Sequence, residues 1–169
     1  MKTKLAVRNF FLLGVLLANV GCDRISKGIV RQIMEHHAPI VLLKQHLTIT
    51  KVENAGAFLS TGSALPEPLK AIALKVLPVM ALCFAMAYVL KAKNLSIVTA
   101  TGICFFIGGG IGNIYDRIVY GSVTDFAHID FVLFRTGIFN MADVSIVMGV
   151  ILIALDVLKR RDHLGDLFG

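Results

Sequence analysis

Gly108-Gly109-Gly110-Ile111-Gly112-Asn113-Ile114-Tyr115-Asp116-Arg117 closes one long apolar run, and Phe139-Asn140-Met141-Ala142-Asp143 opens the next. Between them lies Val123-Thr124-Asp125-Phe126. Three carboxylates, an arginine and two asparagines are thus set between segments hydrophobic enough to lie in lipid. Ionisable groups at that boundary are costly, and by default they are a functional-site hypothesis.

Working outward, the apolar runs are long enough to cross a bilayer, which takes about 20 residues as a helix. The spacing predicts four spans, over about 5–22, 69–90, 95–113 and 140–158. Segments 23–68 and 114–139 would lie outside the membrane. An even number of spans puts both termini on one side. The basic clusters Lys2, Lys4 and Arg8, then Lys91 and Lys93, then Lys159, Arg160 and Arg161 all fall on that side, which the positive-inside rule makes cytoplasmic. Asp23, Asn54, Asn113, Asp116, Arg117, Asp125, Asn140 and Asp143 then collect at the outer face.

Composition agrees. The 169 residues are 56% hydrophobic with a mean hydropathy of +0.77, above the apolar share of about 45–50% in soluble domains. A net charge of +6 raises the question of nucleic acid, but the basic residues gather at span ends with no aromatic-interleaved basic face, so none is expected. The three cysteines, Cys22, Cys83 and Cys104, form no disulfide or zinc pattern. The basic start and Asn19-Val20-Gly21-Cys22 admit a second reading, a lipoprotein leader cut before Cys22. Asn19 suits that site poorly and further spans follow, so a retained first helix is expected.

The segments between spans carry weaker signals. Asp23 and Lys27 stand i,i+4 with the acid first, the favourable order for a helical ion pair. From Ile25 to Glu35 apolar and polar residues alternate helically, which predicts an amphipathic helix along the membrane surface. His36 and His37 precede Pro39 in a turn-like stretch and are expected in water. Leu47–Val52 is β-branched and short, so it reads as a strand. It leads into a turn, Glu53-Asn54-Ala55-Gly56-Ala57-Phe58, either a plain loop or a lip offering Asn54 and backbone groups to an extended peptide. Pro78 is expected to kink the second span. Gly108 and Gly112, four apart, allow close helix approach. Asp156, three before Lys159, reads as a helix-end ion-pair residue. The fold class is an all-α polytopic membrane protein in one domain, with a small β-containing outer segment and an interfacial helix.

The chemistry is narrowed by what is missing. There is no Gly-x-Ser-x-Gly and no His-Glu-x-x-His, and Asp125, His128 and Asp130 describe a half-solvated strand as well as a zinc set. Paired aspartates remain: two close carboxylates resist joint ionisation, so one keeps a proton while the other activates water. Asp116 has Arg117 and Asn113 nearby as local partners. Asp143 stands three residues after Asn140, a candidate N-cap, and can equally be a capping carboxylate. Asp125 and Asp143 are one pairing that geometry allows, with Asp116 the rival. A proton-coupled transporter is a second class, but it would place polar residues deeper in several spans, and a non-catalytic lipoprotein or membrane-assembly factor is a third.

Five motifs in order, Asp23-x-x-Ser26-Lys27, Asn54-x-Gly56-Ala57, Gly109-Gly110-x-Gly112-Asn113-x-x-Asp116-Arg117, Val123-x-Asp125-Phe126 and Phe139-Asn140-x-Ala142-Asp143, resemble the bacterial lipoprotein signal peptidase (signal peptidase II) family. The resemblance implies an aspartic endopeptidase of the bacterial inner membrane, without a cofactor or metal. It would cut diacylglyceryl-modified prolipoproteins before the lipidated cysteine. Asp125 and Asp143 would be the catalytic pair. Asn54, Gly56, Asn113, Asp116, Arg117 and Asn140 would shape the site, and Asp23 and Lys27 would support the outer structure. Membrane lipids surround such an enzyme, inhibition by globomycin is expected, and a monomer is expected. Arg24 departs from the family, which usually has glutamine there.

Overall fold

The computed structural model describes residues 2–34, 37–57, 61–92, 94–131 and 134–168; Glu35, His36, Phe58 and Lys93 lie outside them. Helix α1 runs over Lys2–Ile33, followed by strands β1, Ile40–Leu42, and β2, Leu47–Asn54. The second apolar run begins as α2, Glu67–Ala71, and continues as α3, Leu77–Lys91. After α4, Ile97–Val119, come strands β3, Val123–Phe131, and β4, Phe134–Arg135, and finally α5, Met141–Phe168. Among the described residues, four helical stretches are long and apolar enough to cross a membrane: Leu5–Ile33, Glu67–Lys91, Ile97–Val119 and Met141–Arg161.

The surface is inverted relative to a soluble protein. Phe10, Leu17, Phe84, Leu90 and Leu155 point outward, while Asp23, Lys27, Asp116 and Asn140 are wholly buried. That distribution suits a lipid solvent for the helix flanks and a protein interior for the charges. Helix α4 is central and packs on α5, α1 and α3. Its start is capped by Ser96, whose Oγ accepts from the Thr99 N–H at 3.0 Å. Ser96 and Thr99 hydroxyls also donate to Asp156 at 2.5 and 2.6 Å, and Arg160 pairs with it at 3.0 Å. Asp156 therefore ties the middle of α5 to the start of α4, beyond the local ion-pair role expected of it.

Two expectations change. Ile25–Ile33 does not form a separate helix along the membrane surface; it continues α1. Thirty-two residues at 1.5 Å each span about 48 Å, well beyond an apolar core of about 30 Å, so the last turns extend past it. Val30 and Met34 pack there against Phe126 and Ala127, which gives the amphipathic stripe its partner. In place of a kink centred on Pro78, the structure shows a wide π-helical turn just before it, over Ile72–Val76, closed by the Leu77 N–H on the Ile72 carbonyl. The first span runs on through Cys22 as unbroken helix, and Asn19 accepts the Ser145 hydroxyl from α5 at 2.7 Å.

The outer strands form one antiparallel sheet in the order β1-β2-β3-β4. The predicted strand at Leu47–Val52 extends to Asn54 and pairs with β3, from Leu47 opposite Ile129 to Asn54 opposite Val123. A register irregularity lies between Ile49 and Val52. Phe139 bonds back to Phe126 and Ala127, so the chain entering α5 is stitched to β3. This brings Asp125 beside the start of α5.

Close helix approach is where the glycines matter. A Cβ on Gly109 would fall on the Ala142 backbone carbonyl, and one on Gly102 would come 2.8 Å from the Gly149 carbonyl. Backbone cannot rotate aside, so Gly109→Ala is expected to cost about 1–3 kcal/mol. Gly14→Ala, where nothing lies within 4 Å, serves as the control. Unfolding in mixed micelles measures both; equal stability of the two variants would refute the close α4–α5 contact.

Candidate active site

The site begins with charge buried in the helices. Lys27 and Asp23, four apart on α1, meet at 3.0 Å with both side chains fully buried. Lys27 also reaches Asp116 on α4 at 3.1 Å and donates to the Asn113 side-chain oxygen at 2.9 Å. Asp116 has its partners on α1 rather than in the adjacent Arg117. Arg24 lies at 2.5 Å and Arg31 at 3.0 Å, both on its Oδ1. The correction has a simple cause: neighbouring residues on a helix point about 100° apart, whereas Arg24, Lys27 and Arg31 share the α1 face toward α4. Their guanidinium groups also stack on rings, Arg24 at 3.9 Å over Tyr115 and Arg31 at 3.8 Å over Tyr120. Arg24 is thus paired with Asp116 and stacked on Tyr115.

Asp23 has a second task. Its Oδ1 accepts the Ala142 N–H at 3.0 Å, one of the free donors at the start of α5. Asn140 and Asp143 complete that start reciprocally. The Asp143 N–H donates to Asn140 Oδ1 at 3.0 Å, and the Asn140 N–H donates to Asp143 Oδ2 at 3.2 Å. Asp143 is therefore a capping carboxylate by geometry, but its Oδ1 is turned to the Asn113 amide at 2.9 Å.

The second carboxylate comes from β3. Asp125 Oδ1 accepts from Asn140 Nδ2 at 2.6 Å, and its Oδ2 accepts from Asn54 Nδ2 at 3.0 Å. One side chain, Asn140, therefore touches Asp125 with its amide nitrogen and the Asp143 backbone with its oxygen. Burial is the largest influence on the Asp125 carboxyl. Burial and the neighbouring Asp143 charge raise its pKa above the ordinary aspartate range, against the opposing hydrogen bonds from Asn54 and Asn140.

Asn54 and Gly56 form the rim. The Asn54 amide also donates to the Ala57 carbonyl at 3.0 Å, and its oxygen accepts the Gly56 N–H at 3.0 Å, a compact Asx-type turn. Arg117 donates to the Gly56 carbonyl at 2.8 Å and holds this turn over the end of α4. Asn54, Asn113, Arg117, Asp125 and Asp143 line one cavity of about 700 Å³. The rest of its wall is Ala57, Val123, the 134–139 segment and, from α5, the apolar Val144, Val147 and Met148.

Of the ten residues singled out from the sequence, Asn54, Asn113, Arg117, Asp125 and Asp143 line the cavity, Gly56 and Asn140 bond to them, and Asp23, Lys27 and Asp116 form the charge cluster behind. Asp125, His128 and Asp130 do not gather; His128 pairs across the sheet with Thr48 and Asp130 with Arg135. Sequence reasoning missed Arg31, Thr124 and Glu53. The Arg31 Nε donates to Thr124 Oγ1 at 2.9 Å, and that hydroxyl donates to Glu53 at 2.9 Å. A signal for Arg31 existed: it stands four residues after Lys27 on the same helical face.

The chain is similar to known proteins in sequence and in fold. Residues 15–159 match the family model for signal peptidase (SPase) II. The lipoprotein signal peptidase of Aquifex aeolicus is 32% identical over 146 residues, 86% of this chain and 84% of that protein. That of Halothermothrix orenii is 31% identical over 153 residues, 90% of this chain and 97% of its own length. Among solved structures, a bacterial membrane enzyme at 1.9 Å resolution superposes with a TM-score of 0.76 at 25% identity, covering 88% of this chain and 93% of that one. Another at 2.3 Å resolution, 24% identical and covering 90% of each chain, has a TM-score of 0.80 and the same fold.

Proposed function

Because the chain belongs to the signal peptidase II family, we propose that it is a membrane-embedded aspartic endopeptidase that removes the signal peptide from diacylglyceryl-modified prolipoproteins. The cut falls before the lipidated cysteine. The observation that carries this reading is the joint exposure of Asp125 and Asp143 to one cavity, with Asn140 bonded to both residues.

The two carboxylates divide the work by environment. Asp125, pushed up by burial, keeps the shared proton. Asp143 then acts as the base and takes a proton from water, whose oxygen bonds to the scissile carbonyl carbon. The carbonyl oxygen receives the Asp125 proton as the tetrahedral intermediate forms. On collapse the C–N bond breaks, Asp143 returns its proton to the leaving nitrogen, and Asp125 recovers one from the diol. The products are the signal peptide's new carboxyl end and a free amine on the lipidated cysteine. Asn54, Gly56, Asn113, Arg117 and Asn140 order the backbone and the carboxylates, Asp116 supports them from behind, and Asp23 and Lys27 anchor the helix ends.

The apolar wall of Val144, Val147 and Met148 continues the cavity toward lipid. A substrate still anchored by its signal helix and acyl chains can enter sideways from the bilayer. In this reading the enzyme works in the bacterial inner membrane as a monomer, with both termini cytoplasmic and the dyad at the outer face, as the basic clusters at the span ends suggest. Globomycin is expected to occupy the cavity. The test is a synthetic peptide with or without diacylglyceryl on its cysteine, given to purified protein in detergent. Cleavage immediately before the lipidated cysteine, and none of the unlipidated peptide, is the expected result. Equal cleavage of both would overturn the substrate assignment.

The pH profile follows from Asp125. Activity requires its proton, so kcat/KM is lost as pH rises through a value above the ordinary carboxylate range. Asn54→Ala removes a hydrogen bond that lowers this value, so the alkaline limb should move to higher pH. Folding linkage has the same sign. A carboxyl raised in the folded state contributes stability fully present below its unfolded pKa and lost as pH rises through its folded pKa. An alkaline limb unmoved or displaced downward in Asn54→Ala would remove Asp125 from the acid role.

A further inference from the structure

The amide groups facing the two aspartates have a direction, and the structure contains a group that sets it. An asparagine side chain can present oxygen or NH₂ to a neighbour, and only NH₂ suits a carboxylate. Asn113 turns its Nδ2 to Asp143 Oδ1 at 2.9 Å. Its Oδ1 accepts from Lys27 Nζ at 2.9 Å and from Asn140 Nδ2 at 3.2 Å. An ammonium has three donors and no acceptor, so Lys27 can face only the oxygen of Asn113. That oxygen in turn accepts the Asn140 NH₂, which is shared with Asp125 Oδ1 at 2.6 Å. With its NH₂ committed, Asn140 offers its oxygen to the Asp143 N–H.

We infer that Lys27 is a positioning residue for the dyad: through Asn113 it fixes the polarity of both amides that hold Asp143 and Asp125. This rests on the proposed roles of those aspartates and adds to the supporting role that the family resemblance implies for Lys27. The lysine touches neither carboxylate of the pair; its remaining donors meet Asp23 at 3.0 Å and Asp116 at 3.1 Å. Those contacts hold its ammonium still, with the side chain wholly buried. Without it, Asn113 is free to turn over and present oxygen to Asp143, a repulsive contact that also strands the Asn140 NH₂.

The experiment is a double-mutant cycle between Lys27→Met and Asn113→Ala, read as kcat and KM on the diacylglyceryl peptide per folded molecule. Lys27→Met should lower kcat on the order of 10-fold to 100-fold, as loss of an orienting hydrogen bond does elsewhere, with KM little changed. The double variant should be no slower than Asn113→Ala alone, because both changes cut one chain. Should Lys27→Met fail to fold, the cycle is run with Asp23→Asn added throughout. That change removes one buried charge while Asn keeps an acceptor for the Ala142 N–H, and Asp116 retains Arg24 and Arg31. Additive losses, or a lowered melting temperature with unchanged kcat, would overturn the inference and leave Lys27 structural. Asp143→Asn separates this from the underlying reading: if that variant keeps full activity, the dyad itself has failed.

Discussion

Asp143→Asn is expected to lower kcat on the lipidated peptide by roughly 10²- to 10⁴-fold, the range for losing a positioned acid or base. Asn keeps an oxygen that can accept the Asn140 N–H, so the start of α5 and the fold should survive. What is lost is the capacity to take a proton from water. Asp125→Asn should be comparably damaging for the complementary reason: its one oxygen can still accept the Asn140 amide, but its NH₂ opposes the Asn54 amide and it has no titrating proton to give. The two losses should not add, because each residue is useless to the chemistry without the other. Substantial activity in either single variant, measured on protein with a wild-type melting curve, would remove that aspartate from the mechanism.

The largest effect on stability is expected at Asp116, which binds no substrate in this reading. Its buried carboxylate holds Arg24, Lys27 and Arg31. Asp116→Ala strands part of that positive charge in a protein interior, where breaking one partner of a buried pair costs about 3–5 kcal/mol. The loss should fall near about 3 kcal/mol, because Lys27 keeps Asp23 and the two arginines are partly exposed. Unfolding of the variant by SDS in mixed micelles checks it. A change below about 1 kcal/mol would mean that the cluster contributes little net stabilisation.

Much of the fold was legible because lipid imposes strong constraints on sequence. Apolar runs of spanning length located the helices, and basic residues at their ends suggested an orientation. The end of α1 was less legible. Ile25–Met34 has a pattern that a surface helix and an extended span share, and only the packing of Val30 and Met34 on Phe126 and Ala127 distinguishes them. Asp116 was misread for a related reason: Arg117 is adjacent in sequence, while its true partners stand on another helix.

The sequence by itself determined that this chain carries four apolar runs of membrane-spanning length and which polar residues stand near their ends. Those properties depend on composition and spacing along a single helix. Tertiary structure decided which residues touch. Asn54 reaches Asp125 across 71 positions, Lys27 reaches Asn113 across 86, and Asn113 reaches Asp143 across 30. Such pairings arise only when sheet register and helix packing bring distant segments together. The direction of each amide is settled later still, by the surrounding hydrogen-bond network. For that reason the glycine-rich end of α4 and the start of α5 announced a site, but only the fold showed Lys27 behind it.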